Sequence, residues 1–83
     1  MTLEERKKHE QNMNALKMVF DELGLNIIET GGDEEYCNCW VLANIGKITA
    51  TAYLDDFFTV EYTCYARSTD ELKENIKKLL TIN

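Results

Sequence analysis

Between residues 35 and 66 apolar side chains recur at every second position, a period that a helix of 3.6 residues per turn cannot use to keep one side dry. A pleated strand can. Cys37, Cys39, Val41 and Ala43 alternate with Tyr36, Asn38, Trp40 and Leu42. Ile48, Ala50, Ala52 and Leu54 alternate with Thr49, Thr51 and Tyr53, and Phe58, Val60, Tyr62, Cys64 and Ala66 with Phe57, Thr59, Glu61, Thr63 and Tyr65. The pattern predicts strands over 35–44, 48–54 and 57–66, parted by a turn at 44–47 that contains Gly46 and by another at Asp55–Asp56. The β-branched pair Ile27 and Ile28 predicts a shorter strand over 25–30, ended by Gly31, Gly32 and Asp33.

Helical signals bracket this region. Thr2 and Glu5 have the spacing of a capping box, and Met13, Leu16, Val19, Phe20 and Leu23 form an apolar stripe, while 4–12 is polar all round. Gly24 supplies a left-handed residue to end that helix, and Leu25 can fold back onto Phe20. Ser68 and Glu71 repeat the capping spacing before Leu72, Ile76, Leu79 and Leu80. The expected fold is one α+β domain over 1–83: a two-layer, four-stranded antiparallel meander with N- and C-terminal helices packed on one face, in the order α-β-β-β-β-α. A register pairing Ala43 with Ile48 and Leu54 with Phe58 puts the small aliphatic residues under both helices. Tyr36, Trp40, Leu42, Tyr53, Phe57 and Tyr65 then share the opposite face. A contiguous aromatic patch of this kind marks an interface, and Trp and Tyr are enriched where binding energy concentrates.

Charge narrows the partners. Fifteen acidic residues against nine basic ones leave a formal charge of −6, which repels nucleic acid and anionic lipid. In a meander the turns around Asp33, Glu34 and Glu35 and around Asp55 and Asp56 lie at one end, so that end is expected to be acidic, with Arg6, Lys7 and Lys8 reaching toward it along a helix about 30 Å long. Those basic residues would blunt the acidic end, while the aromatic face together with Asp33, Glu34, Glu35, Asp55 and Asp56 supplies the expected contacts to a protein that carries a basic surface.

Three cysteines are an odd set for a disulfide framework, so reduced thiols and a cytoplasmic setting are expected. The amino-terminal segment carries charges where a leader needs an apolar stretch, and no run approaches the roughly 18–20 apolar residues of a membrane span. Cys37, Cys39 and Cys64 fall on the predicted core face, and His9 in the polar half of the first helix, a surface position with no catalytic partner. No metal site, catalytic residue or cofactor is expected. Asp55–Asp56 lacks the alternating oxygen ligands of a calcium loop, and Gly31–Gly32 lacks the spacing of a phosphate loop.

The helix, sheet, helix order resembles double-stranded RNA-binding domains, whose second helix opens with lysines that straddle phosphates. Here it opens Ser68-Thr69-Asp70-Glu71, of the opposite sign. The stretch Val60-Glu61-Tyr62-Thr63-Cys64 before a helix resembles the end of bacterial S-adenosylmethionine decarboxylases, but 45–53 has no counterpart of that family's serine and histidine motif, so no role carries over. In size and charge the chain is similar to small acidic proteins of phages and mobile elements, anti-CRISPR proteins among them. The expectation is therefore a small acidic, non-enzymatic protein-interaction module, an inhibitor that blocks a nucleic-acid-binding protein. The alternative is a homodimeric chaperone or scaffold packed through its sheet face.

Overall fold

The computed structural model describes residues 2–33, 38–45 and 47–82. Helix α1 spans Leu3–Glu22 and helix α2 Thr69–Ile82; between them run β1 (Ile27–Asp33), β2 (Asn38–Ala43), β3 (Thr49–Tyr53), β4 (Phe57–Val60) and β5 (Cys64–Ala66). All neighbouring strands are antiparallel, in the spatial order β1-β2-β3-β4-β5. The α+β class and the flanking helices are as expected, but among the described residues the meander has five strands rather than four.

Helix α1 begins where its caps dictate. Thr2 Oγ1 accepts from the Glu5 amide at 3.1 Å and Glu5 Oε1 accepts from the Thr2 amide at 3.0 Å, so two amides without helical partners are satisfied. The Thr2 amide also holds the Glu5 carboxyl below its ordinary range. At the other end Gly24 takes φ 72°, the Leu25 amide donates to Phe20 O at 2.8 Å and the Gly24 amide to Asp21 O at 3.1 Å. That pair of bonds is a Schellman closure, and it buries Leu25 in the core beside Phe20. Helix α2 starts at the Ser68 cap, with Ser68 Oγ accepting from the Glu71 amide at 3.2 Å; the Glu71 carboxylate reaches the Arg67 amide at 2.6 Å.

Both helices lie on one face. Leu16, Val19 and Phe20 of α1 and Leu72 and Ile76 of α2 are buried against Cys39, Val41, Ala43, Ala50, Ala52, Val60 and Ala66. Large side chains come from the helices and mostly small ones from the sheet, so the two layers can approach closely. Lys73 of α2 forms an ion pair with Glu22 of α1 across the helix seam.

Three expectations need correction. The first strand does not stop at Thr30: it continues through Gly31 and Gly32 to Asp33, because those residues pair with β2 from Trp40 to Asn38, and Ile28 forms a bulge. Second, Ala52 rather than Leu54 stands opposite Phe58. The offset is two residues, so every side chain keeps its predicted face, and Leu54 joins the turn with Asp55 and Asp56. Third, the strand expected over 57–66 is folded in half. Glu61 and Tyr62 take φ 55° and 62°, the Thr63 amide donates to Val60 O at 3.2 Å, and the chain doubles back so that Cys64 pairs with Val60. Two successive left-handed residues make the turn whose twist suits a hairpin, here without the glycine or asparagine that normally signals it.

Candidate functional site

Strand register assembles the face turned away from the helices. One row across it reads Gly31, Trp40, Thr51, Thr59, Tyr65; the next reads Asp33, Asn38, Tyr53, Phe57. Leu42 and Thr49 pair in a third row, where Glu61 Oε1 accepts from the Thr49 amide at 3.1 Å. The sequence-predicted Trp40, Leu42, Tyr53, Phe57 and Tyr65 are thus brought onto one surface. Tyr36, Glu34 and Glu35, like Cys37, lie outside the described residues.

The aromatic residues form two groups. Tyr53 and Phe57 stack with ring centroids 4.4 Å apart and planes 7° from parallel, and Tyr65 leans on Phe57 at 5.7 Å and 38°. Such pairs contribute about 0.5–1.5 kcal/mol beyond the area they bury. Tyr65 remains 69% exposed, whereas Tyr53 and Phe57 are half-buried. Trp40 belongs to the other group and lies across Gly31: a Cβ added there would stand 2.5 Å from Trp40 Cζ2 and 2.7 Å from Cε2. Glycine opposite tryptophan gives the indole a seat on the neighbouring strand.

Between the two groups, Thr51 and Thr59 are buried although no helix covers this side. Their Oγ1 atoms have no hydrogen-bond partner, a cost of roughly 1–3 kcal/mol for each hydroxyl withdrawn from water. Alternation alone places them on the face that no helix covers. What it missed is that a small residue flanked by large rings is walled in by its neighbours.

At one end of this face Asp55 and Asp56 are exposed in the β3–β4 turn, on the same side as the end of β1 at Asp33. Lys8 forms an ion pair with Asp56, and Asn12 Nδ2 donates to Tyr53 O at 3.4 Å, so the polar half of α1 does reach this end. A cavity of about 310 Å³ opens between Asp55, Asp56, Phe57, Tyr65, Ala66 and Arg67.

The thiols lie on the helix side. Cys39 is buried, with Sγ 3.8 Å from His9 O, and burial pushes its thiol up to about 11, which keeps it protonated and poorly nucleophilic at neutral pH. Cys64, half-buried, is on β5, three strands away. His9 is not the surface residue expected: it is half-buried and its Nε2 is enclosed without a hydrogen-bond partner. The spacing of His9, Asn12, Leu16 and Val19 puts it on the inward stripe, a signal that hydrophobicity hides because two of the four are polar. Among the described residues no group of three His, Cys, Asp or Glu side chains could hold a metal ion. Compared with known proteins, the chain shows no significant match to a family model, a curated protein or a solved structure.

Proposed function

We propose that this chain is a non-enzymatic interaction module that docks a partner protein with a basic surface onto the uncovered face of its sheet. The observation that carries this reading is the exposed end of the Tyr53, Phe57 and Tyr65 cluster, which no helix covers and which adjoins the carboxylates of Asp55 and Asp56. Stacked rings supply rigid apolar area at low entropic cost, and a flanking acidic turn selects the sign of the partner and speeds encounter. A net charge of −6 supports the same partner class. In its sharper form the module is an inhibitor: it occupies a surface that the partner otherwise offers to nucleic acid, in the manner of the small acidic phage proteins it resembles in size and charge.

The test uses the purified partner captured from the native host. Tyr65→Asp should weaken binding at least tenfold while the chain stays folded, the lost contact with Phe57 costing only about 0.5–1.5 kcal/mol because the residue is largely exposed. Reversal of Asp33, Glu34, Asp55 and Asp56 to lysine should weaken binding and flatten its salt dependence together. Unchanged affinity in both variants refutes the docking face. The rival, a homodimer closed through the same face, predicts a dimer in sedimentation that Trp40→Asp converts to a monomer; a wild-type monomer removes it.

A further inference from the structure

We infer that the outer edge of β1 accepts an extended, basic peptide as an added strand, with one of its side chains laid on Trp40. This border is distinct from the face proposed above, and the inference stands or falls independently of it.

The sheet's two edges are treated differently. β5 is three residues long, α2 packs against it, and Asn75 Nδ2 of α2 donates to Tyr65 O at 3.0 Å. β1 is seven residues long, and the helices pack over β2 with β3 and over β4 with β5 instead. Among the described residues, no group outside β2 is hydrogen-bonded to residues 27–32. Every second residue of an edge strand turns its N–H and C=O outward, which is the template that an incoming strand completes. The bulge at Ile28 confines the regular stretch to residues 29–33.

Trp40 adds a side-chain site to this main-chain one. Its indole fills the volume that a side chain at Gly31 would occupy, and it is half-buried rather than enclosed. A residue of the added strand opposite Gly31 meets the ring directly. Charge chooses the occupant: Glu29 is exposed with no ion-pair partner among the described residues, and the chain carries −6. A second copy would bring another −6 and its own Glu29 to the edge. A peptide alternating cationic and β-branched residues brings the opposite sign, and an arginine over the indole gains a cation–π contact.

The experiment titrates the full chain with a seven-residue peptide alternating Arg and Val, against a Glu and Val version and an Arg and Val version N-methylated at every amide, which leaves neither edge able to donate. Trp40 is the sole tryptophan, so its fluorescence reports occupancy. Amide hydrogen exchange of residues 29–33, followed by NMR, reports strand addition. The Arg and Val peptide should change the fluorescence saturably and slow exchange of the outward amides roughly tenfold or more, as closed ladder bonds do. N-methylation and the acidic peptide should abolish both effects, and Trp40→Leu, read by NMR, should weaken binding roughly threefold while leaving the protection pattern in place. Tyr65→Asp should leave the titration unchanged, which separates this edge from the docking face. Equal binding of the N-methylated peptide, or no protection in β1, overturns the inference. Protection that rises with protein concentration in the absence of peptide assigns the edge to a second copy and overturns it as well.

Discussion

Replacing Tyr62 tests the doubling back of the fourth strand through the sign of a stability difference. Tyr62 has φ 62° and directly follows Glu61 at φ 55°, so both L-residues stand in the left-handed region. That conformation costs roughly 1–2 kcal/mol for a residue with a Cβ and almost nothing for glycine. Tyr62 is 58% exposed, so removing its ring forfeits little burial. Tyr62→Ala retains the backbone strain; Tyr62→Gly releases it but adds about 0.4–1 kcal/mol of unfolded-state entropy. Glycine should therefore exceed alanine in stability by about 0.5–1 kcal/mol. In a continuous strand the order reverses, because glycine there is worse than alanine by roughly 0.5–1 kcal/mol. For a chain of this size 1 kcal/mol moves the melting temperature by about 4–8 °C, so thermal unfolding followed by circular dichroism resolves the two orders, with urea midpoints as a second measure. The ladder of β4 with β5 and the left-handed pair would both be refuted if the alanine variant melted higher than the glycine variant.

Other perturbations address the uncovered face and the core. Gly31→Ala forces a Cβ into the Trp40 ring and should destabilise by about 1–3 kcal/mol while red-shifting the tryptophan emission; an unshifted spectrum would mean the indole is not seated there. Thr59→Val removes a buried hydroxyl that has no partner, so urea unfolding should find it about 1–3 kcal/mol more stable, and a loss of stability would reveal a hydrogen bond. Cys39 has its thiol raised from 9.0 to about 11, so above pH 9 the unfolded chain loses a proton that the native chain keeps; stability should decline from pH 9 to 11, less so in Cys39→Ala after its packing cost is subtracted. Phe20→Ala, at a fully buried site, should cost about 3–5 kcal/mol in the same urea assay.

Much of this architecture was legible because period and caps are local. The alternation of Cys39, Val41 and Ala43 against Trp40 and Leu42 fixed which face the helices cover, and Thr2 with Glu5 and Gly24 with Leu25 marked both ends of α1. The fold in the fourth strand was not legible. Val60-Glu61-Tyr62-Thr63 contains no glycine, proline, asparagine or aspartate to signal a turn, and the left-handed pair Glu61 and Tyr62 is accompanied by tertiary contacts such as the bond from the Glu61 amide to Thr49 O at 2.8 Å. Gly31–Gly32 misled for the converse reason: glycines that usually break a strand sit inside β1, one of them because Trp40 occupies its side-chain space. At the candidate site the aromatic set was readable from parity, whereas the walling-in of Thr51 and Thr59 and the inward turn of His9 depend on the sizes and positions of neighbours distant in sequence.

The floor of small residues at Ala43, Ala50, Ala52 and Ala66 means that layer spacing is dictated by what projects from α1 and α2. Alternate positions on the same strands are thereby released from that duty. The docking chemistry proposed at the exposed Tyr65 can therefore change while the layer spacing beneath stays as it is, as a tool handle accepts interchangeable heads.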